Sequence, residues 1–221
     1  MARRSLAVVI PCHNEAATLA GVVKGIGPHA DVLLVDDSST DASPEIAAAH
    51  GARVLRAATA GYDGALDTGL RQALADGYNW VVTMDADGEH EPGLVAHFLR
   101  CLEQGAPLVL GVRPHPQRAA EYIVAAIGRA LFGFHDLLCG MKGYSREVLE
   151  RHYARGAPLA INMAPAINWR RAGGAFVELA VTGTPRIDRP RFARAMAANG
   201  KILKAFWQAL AEPQTYKADS K

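Results

Sequence analysis

The sequence lacks any uninterrupted apolar run of the roughly 18 residues that a membrane-spanning helix requires. Its most apolar stretch, Tyr122 to Gly140, is broken by Arg129, His135 and Asp136. The opening Met-Ala-Arg-Arg-Ser runs into an apolar segment too short for a secretory leader, so no export is expected. Cysteine is scarce: Cys12, Cys101 and Cys139 are odd in number, far apart and without a CxxC pair. That excludes a disulfide framework and a zinc finger and leaves reduced thiols in the cytoplasm. Neither a Walker-type Gly-Lys-Ser loop nor a GxGxxG turn is present, so any phosphate recognition has to be metal-based. A net charge of +2 demands no polyanion, and the aromatics do not follow strand spacing among the basic residues, so no nucleic acid partner is expected.

What is present is the mix of a packed globular protein, 50% hydrophobic and 21% charged, in a length suited to one domain. No repeat, low-complexity tract or linker divides residues 1–221. Leu6 to Ile10 is a short β-branched run that predicts a strand, followed by helical spacing over Asn14 to Gly25. The unit recurs as strand Val32 to Val35 with helix Ala42 to His50, strand Arg53 to Arg56 with helix Gly64 to Asp76, and strand Trp80 to Met84. A helix from Pro92 to Gln104, a strand Leu108 to Val112 and a helix Arg118 to Phe134 follow. Gly140 to Tyr144 reads as strand or loop, Arg146 to His152 and Ile161 to Ala172 as helices, and Ala175 to Val181 as a strand.

This alternation predicts an α/β domain with a mostly parallel central sheet flanked by helices, because parallel neighbours need crossover connections. Ligands bind such sheets beyond the carboxyl ends of the strands. The polar clusters Pro11 to Glu15, Asp36 to Asp41 and Asp85 to Glu89 all fall at that end and are expected to converge.

The sharpest local signal is Val81-Val-Thr-Met-Asp85-Ala-Asp87. Strand side chains alternate, so Asp85 and Asp87 can point the same way and offer hard oxygen ligands to one divalent cation. Such a cation can bridge diphosphate oxygens and neutralise charge on a leaving group. Asp36-Asp37-Ser-Ser39-Thr-Asp41 supplies acceptors for ribose hydroxyls and base edges, with Asp41 or Ser43 serving instead to cap the next helix.

Val9-Ile-Pro-Cys-His-Asn-Glu15, Val35-Asp-Asp-Ser-Ser-Thr-Asp41, Gly61 to Gly69 and Asp85-Ala-Asp-Gly-Glu-His-Glu-Pro92 resemble, in order and spacing, the motifs of glycosyltransferase family 2. The likeness continues through Gly111-Val-Arg113, Asp136-Leu-Leu-Cys-Gly-Met-Lys-Gly-Tyr144 and Glu178 to Arg186, and so spans nearly the whole chain. It is nearest the branch of dolichyl-phosphate mannosyltransferases and bacterial undecaprenyl-phosphate sugar transferases. The resemblance implies a GT-A fold, a UDP- or GDP-sugar donor, Mg2+ or Mn2+, and inversion at the anomeric carbon.

By the same resemblance Pro11, Asn14, Glu15, Asp36, Asp37, Ser39, Asp85 and Ala86 form the donor site, and Asp85, Asp87 and Glu89 the metal site, Glu89 standing where many relatives have Gln. Asp87, Asp136 and Arg113 are the catalytic candidates, with Asp136 the base for a hydroxyl acceptor or the organiser of the acceptor loop for a phosphate. Arg113, Arg118 and Arg186 are the acceptor-binding candidates, since a guanidinium fork suits a phosphate monoester. Two features depart from the family: Ala60-Gly-Tyr-Asp-Gly64 lacks a common basic residue, and Asn162 stands near a common acidic one.

Two stretches suit a lipid interface. Tyr122 to Phe134 is strongly apolar, and 189–211 reads as a basic amphipathic helix ahead of a flexible tail at 212–221. The expected location is the cytoplasm, peripheral on the cytoplasmic face of the membrane, with a polyprenyl-phosphate acceptor there. The alternatives are a family-2 transferase acting on a hydroxyl, or a donor-binding homologue without turnover. A sugar-nucleotide pyrophosphorylase is excluded by the absence of its glycine-rich opening.

Overall fold

The computed structural model describes residues 5–116, 118–154, 156, 161–182 and 192–211. The order is β1 (Leu6–Cys12), α1 (Ala16–Ile26), β2 (Asp31–Asp36), α2 (Ser43–Ala49), β3 (Arg53–Arg56), α3 (Tyr62–Ala75), β4 (Trp80–Thr83) and α4 (Leu94–Glu103). Then come β5 (Leu108–Val112), α5 (Ala119–Phe132), β6 (Lys142–Ser145), α6 (Arg146–Tyr153), α7 (Ala164–Arg171), β7 (Val177–Ala180) and α8 (Phe192–Ala211). The tail at 212–221 lies outside the described residues.

The strands form one sheet in the order β3-β2-β1-β4-β6-β5-β7. Only β6 runs against its neighbours, pairing antiparallel with both β4 and β5, while the other pairs are parallel. Period-two alternation divides the core between the two faces. Val9, Leu33 and Val35 pack under α3 with Leu66 and Leu70, whereas Val8, Ile10 and Leu34 pack with Leu19 and Val23 of α1 and Phe98 of α4. Gly69 lets α3 lie close on the sheet, since a Cβ there would sit 2.3 Å from Val9 Cγ1.

Helix α1 begins two residues later than its spacing predicts because Asn14 is left-handed, with φ 58°. The two helix starts beside it share a single brace. Asp41 Oδ2 accepts the N–H of Ala16, the first residue of α1, at 3.2 Å, and Oδ1 accepts that of Ser43, the first residue of α2, at 3.0 Å. The segment expected as helix from Ile161 is a turn until Ala164, with Pro165 suiting the first turn of the shortened α7. Helix α5 stops at Gly133, whose φ of 84° closes it in the left-handed manner. The strand-or-loop segment at Gly140 is resolved into strand β6 starting at Lys142.

Candidate active site

The carboxyl ends of β1, β2, β4 and β5 open on one cleft of about 710 Å³. Pro11, Glu15 and Asp37 line it on one side, Asp85, Ala86, Asp87 and Glu89 form its middle, and Arg113 and Arg118 its far end. Asn14, Asp36 and Ser39 do not line it. They brace the loops instead: Asn14 Oδ1 accepts the N–H of Thr40 at 2.7 Å, Ser39 Oγ accepts that of Asn14 at 3.0 Å, and Asp36 Oδ1 accepts that of Ser39 at 3.1 Å. Their short polar side chains accept these backbone donors and hold the two loops together. Arg186 lies outside the described residues.

Asp85 lies two residues past the end of β4 and is held from three sides. Tyr62 donates its hydroxyl to Oδ1 at 2.9 Å, and His90 Nε2 lies 3.8 Å from Oδ2. Gly140 backs against the carboxylate so closely that a Cβ would sit 2.0 Å from Oδ2. The adjoining Ala86 carbonyl accepts the Thr18 hydroxyl at 2.7 Å, and Asp87 Oδ1 accepts the N–H of Glu89 at 3.0 Å across a turn in which Gly88 has φ 75°. On the side next to β2, Asp37 Oδ2 accepts the N–H of Gly61 at 2.9 Å, and the His13 ring nitrogen Nδ1 lies 2.7 Å from the Asp37 carbonyl.

The donor set fits a hard divalent cation only in part. Asp85, Asp87 and Glu89 line the cleft together, but among the described residues no three His, Cys, Asp or Glu side chains gather closely enough to hold a metal by themselves. Two carboxylates at a cleft are nevertheless what Mg2+ uses when substrate phosphates complete its shell.

At the other end, Asp136 is fully engaged. Its oxygens accept Arg113 Nε at 2.7 Å, Arg113 Nη2 at 3.0 Å, and the backbone N–H groups of Arg113, Leu138 and Cys139. Burial opposes its charge, but the hydrogen bonds and charge of Arg113 win and hold the carboxyl below its ordinary value. It does not line the cleft. Its lone pairs point at donors and its affinity for a proton is reduced, which suits a residue that organises its loop more than it suits a base. Arg113 responds in kind, burial working against its charge while Asp136 and then Glu121 more than restore it.

Three side chains lining the cleft, and a fourth buried behind it, escaped the reading from sequence. Tyr62 and Asn162 were visible only as departures from a pattern. Glu121, buried on the first turn of α5, takes Arg113 Nη2 at 3.2 Å and lies 3.7 Å from Arg118 Nη1. Its signal in the sequence is a lone acidic residue three places after Arg118 in an otherwise apolar helix. Lys142, fully buried on β6, donates to the Cys139 carbonyl and to Asn162 Oδ1 at 2.7 Å. Desolvation lowers its pKa to about 8.

A sheet of this order with a cleft at its carboxyl edge is the GT-A fold. The structure of glucosyl-3-phosphoglycerate synthase from Mycobacterium tuberculosis, in complex with Mn2+, uridine-diphosphate-glucose and phosphoglyceric acid, superposes with a TM-score of 0.78 at 24% identity, over 95% of this chain and 81% of that one. The chain belongs to glycosyl transferase family 2, whose family model matches residues 7–153, and is a glycosyltransferase. Polyprenol monophosphomannose synthase of Mycolicibacterium smegmatis is 32% identical over 208 residues, covering 81% of this chain and 77% of that protein. Undecaprenyl-phosphate mannosyltransferase of Micrococcus luteus is 30% identical over 162 residues, covering 64% and 66%.

Proposed function

We propose that this glycosyltransferase moves a sugar from a UDP- or GDP-sugar to a polyprenyl phosphate in one inverting displacement. The observation that carries the reading is the polarity of the cleft, carboxylates at the middle and guanidinium groups at the far end. Pro11, Glu15, Asp37 and Ala86 contact the nucleotide. Asp85 and Asp87, with the donor's own diphosphate, hold Mg2+ or Mn2+, and Glu89 contributes from beside them. When bound, the cation offsets the negative charge of the departing nucleoside diphosphate.

The protein's own groups do the positioning. A phosphate monoester is already anionic and needs no base, which suits an Asp136 that has no spare affinity for a proton. Asp136 instead sets the plane of Arg113, and the bonds to Asp136 and Glu121 use Nε and Nη2, leaving Nη1 for an acceptor oxygen. Arg118, and Arg186 from the neighbouring sequence, are assigned to the same phosphate.

A lipid acceptor has to be met at a membrane surface, and the protein is placed peripherally on its cytoplasmic face. Among the described residues no helix is long and apolar enough to cross a membrane. Helices α5 and α8 pack together and carry exposed Tyr122, Ile123, Leu131 and Trp207 beside Arg129, Lys201 and Lys204.

The test is transfer from a panel of UDP- and GDP-sugars to polyprenyl phosphate with Mg2+ or Mn2+, comparing the wild type with Asp87→Ala. The expected result is metal-dependent product in the wild type and loss of about a hundredfold or more in the variant, with melting within about 0.5 kcal/mol. Tight nucleotide binding with no transfer to the lipid phosphate would defeat the acceptor assignment.

A further inference from the structure

Arg113 and Arg118 supply two positive charges, and Asp136 and Glu121 two negative ones. Asp136 is fixed by a two-point pair with Arg113 and by three backbone N–H groups, a set of bonds that an incoming anion cannot displace cheaply.

Glu121 accepts Arg113 Nη2 at 3.2 Å and lies 3.7 Å from Arg118 Nη1. It sits in the first turn of α5, where the helix dipole favours negative charge, and it lines the cleft. Two guanidinium groups and a helix start converging on one buried carboxylate have the form of an anion site already holding an anion.

We propose that Glu121 is an internal stand-in for the acceptor's phosphate, competing with it for Arg113 and Arg118 and so setting how strongly an anionic acceptor must bind to enter. The proposal rests on the reading of this end of the cleft as the phosphate-binding end. When an acceptor phosphate arrives, the longer pair opens: Arg118, 28% exposed, turns from Glu121 to the ligand while Asp136 keeps Arg113 in place. Discrimination follows. A dianionic monoester outcompetes a single carboxylate, whereas a neutral hydroxyl gains nothing from displacing it.

The experiment compares wild type with Glu121→Gln, which keeps shape and hydrogen-bonding capacity without the charge, in two assays. The first is binding of inorganic phosphate, measured calorimetrically in the presence of metal and nucleoside diphosphate. The second is the acceptor and donor KM with a short-chain polyprenyl phosphate. Phosphate binding and acceptor KM are expected to improve by about threefold or more in the variant, with a steeper loss on adding salt and an unchanged donor KM.

A carboxylate that merely holds Arg113 in place predicts the opposite, weaker phosphate binding and a higher acceptor KM, and that result, or no change, overturns the proposal. If neither protein transfers sugar to the lipid, the assigned reaction fails, while phosphate binding still decides the role of Glu121. Glu121→Met, of similar volume and without charge, repeats the binding measurement should the Gln variant melt early.

Discussion

Replacing Gly140 by alanine adds one methyl group directly against the carboxylate of Asp85. The new Cβ would lie 2.0 Å from Asp85 Oδ2, 2.5 Å from its Cγ and 2.7 Å from Oδ1, against an ordinary contact of 3.4 Å or more. The carboxylate therefore has to retreat by about 1.4 Å (3.4 less 2.0) or drive the β6 approach away from it. The Thr83 hydroxyl, bonded to the Gly140 carbonyl at 2.8 Å, resists the second course. A displacement of about 1 Å at a reacting centre costs about a hundredfold in rate, or about 2.7 kcal/mol of transition-state stabilisation.

Gly140→Ala is thus expected to lower kcat/KM about a hundredfold, raise the metal concentration needed for half activity, and cost about 1–3 kcal/mol in stability from overpacking. Gly21→Ala is the control: nothing lies within 4 Å of a Cβ there, so the helix should gain up to about 1 kcal/mol with activity unchanged. Initial rates across a metal titration, with thermal melts of both variants, make the comparison. A Gly140→Ala enzyme within threefold of wild type would refute the placement of Asp85 at the centre of the chemistry.

Asp136→Asn should cost about 3 kcal/mol near neutrality, because it breaks a largely buried pair and sets an amide N–H group against other donors. The folded pKa of Asp136 lies below its unfolded value, so its stabilisation is fully present above about pH 4 and disappears as pH falls through the folded pKa. Denaturant melts of the two proteins should converge in that acid range; a gap that stays constant would show that the charge is not what holds Arg113. Wild type should cosediment with vesicles containing phosphatidylglycerol, and the pair Leu131→Asp with Trp207→Asp should cut the bound fraction about fivefold or more. Wild type that stays in the supernatant would remove the lipid surface from the proposed function.

The sheet and its cleft were legible because burial on two faces leaves a strong mark. Leu6 to Ile10 and Val32 to Val35 are continuous apolar runs, and the polar residues after them have to emerge at one edge once the connections are crossovers. What stayed hidden depends on contacts across long separations. Asn14 and Ser39 carry the side-chain chemistry of ribose ligands and of loop braces alike, and only the approach of the β1–α1 and β2–α2 loops decides between the two. Tyr62 reaches Asp85 across 23 positions, and Lys142 finds Asn162 across 20, with no local pattern announcing either bond. The start of β6 was ambiguous for a related reason: Gly140 is small to admit a carboxylate from β4, a requirement set by a partner 55 places away in the chain (140 less 85).

The residues assigned to the reaction share one physical property: each is held by a neighbour with little freedom of its own. Asp85 is bounded by Tyr62, His90 and the backbone at Gly140, Ala86 is tied through Thr18 to α1, and Arg113 is locked by Asp136. In a single displacement the acceptor oxygen, the anomeric carbon and the departing oxygen have to be aligned at once, so most of the rate enhancement comes from orientation fixed before the substrates meet. Arg118 is the contrasting case, partly exposed and paired at 3.7 Å, and it is the group that an arriving acceptor can recruit without disturbing the rest. In the proposed reaction, a rigid donor half with one movable arginine at the acceptor end would let the nucleotide-sugar be held in reacting geometry while the cleft still opens to a lipid chain.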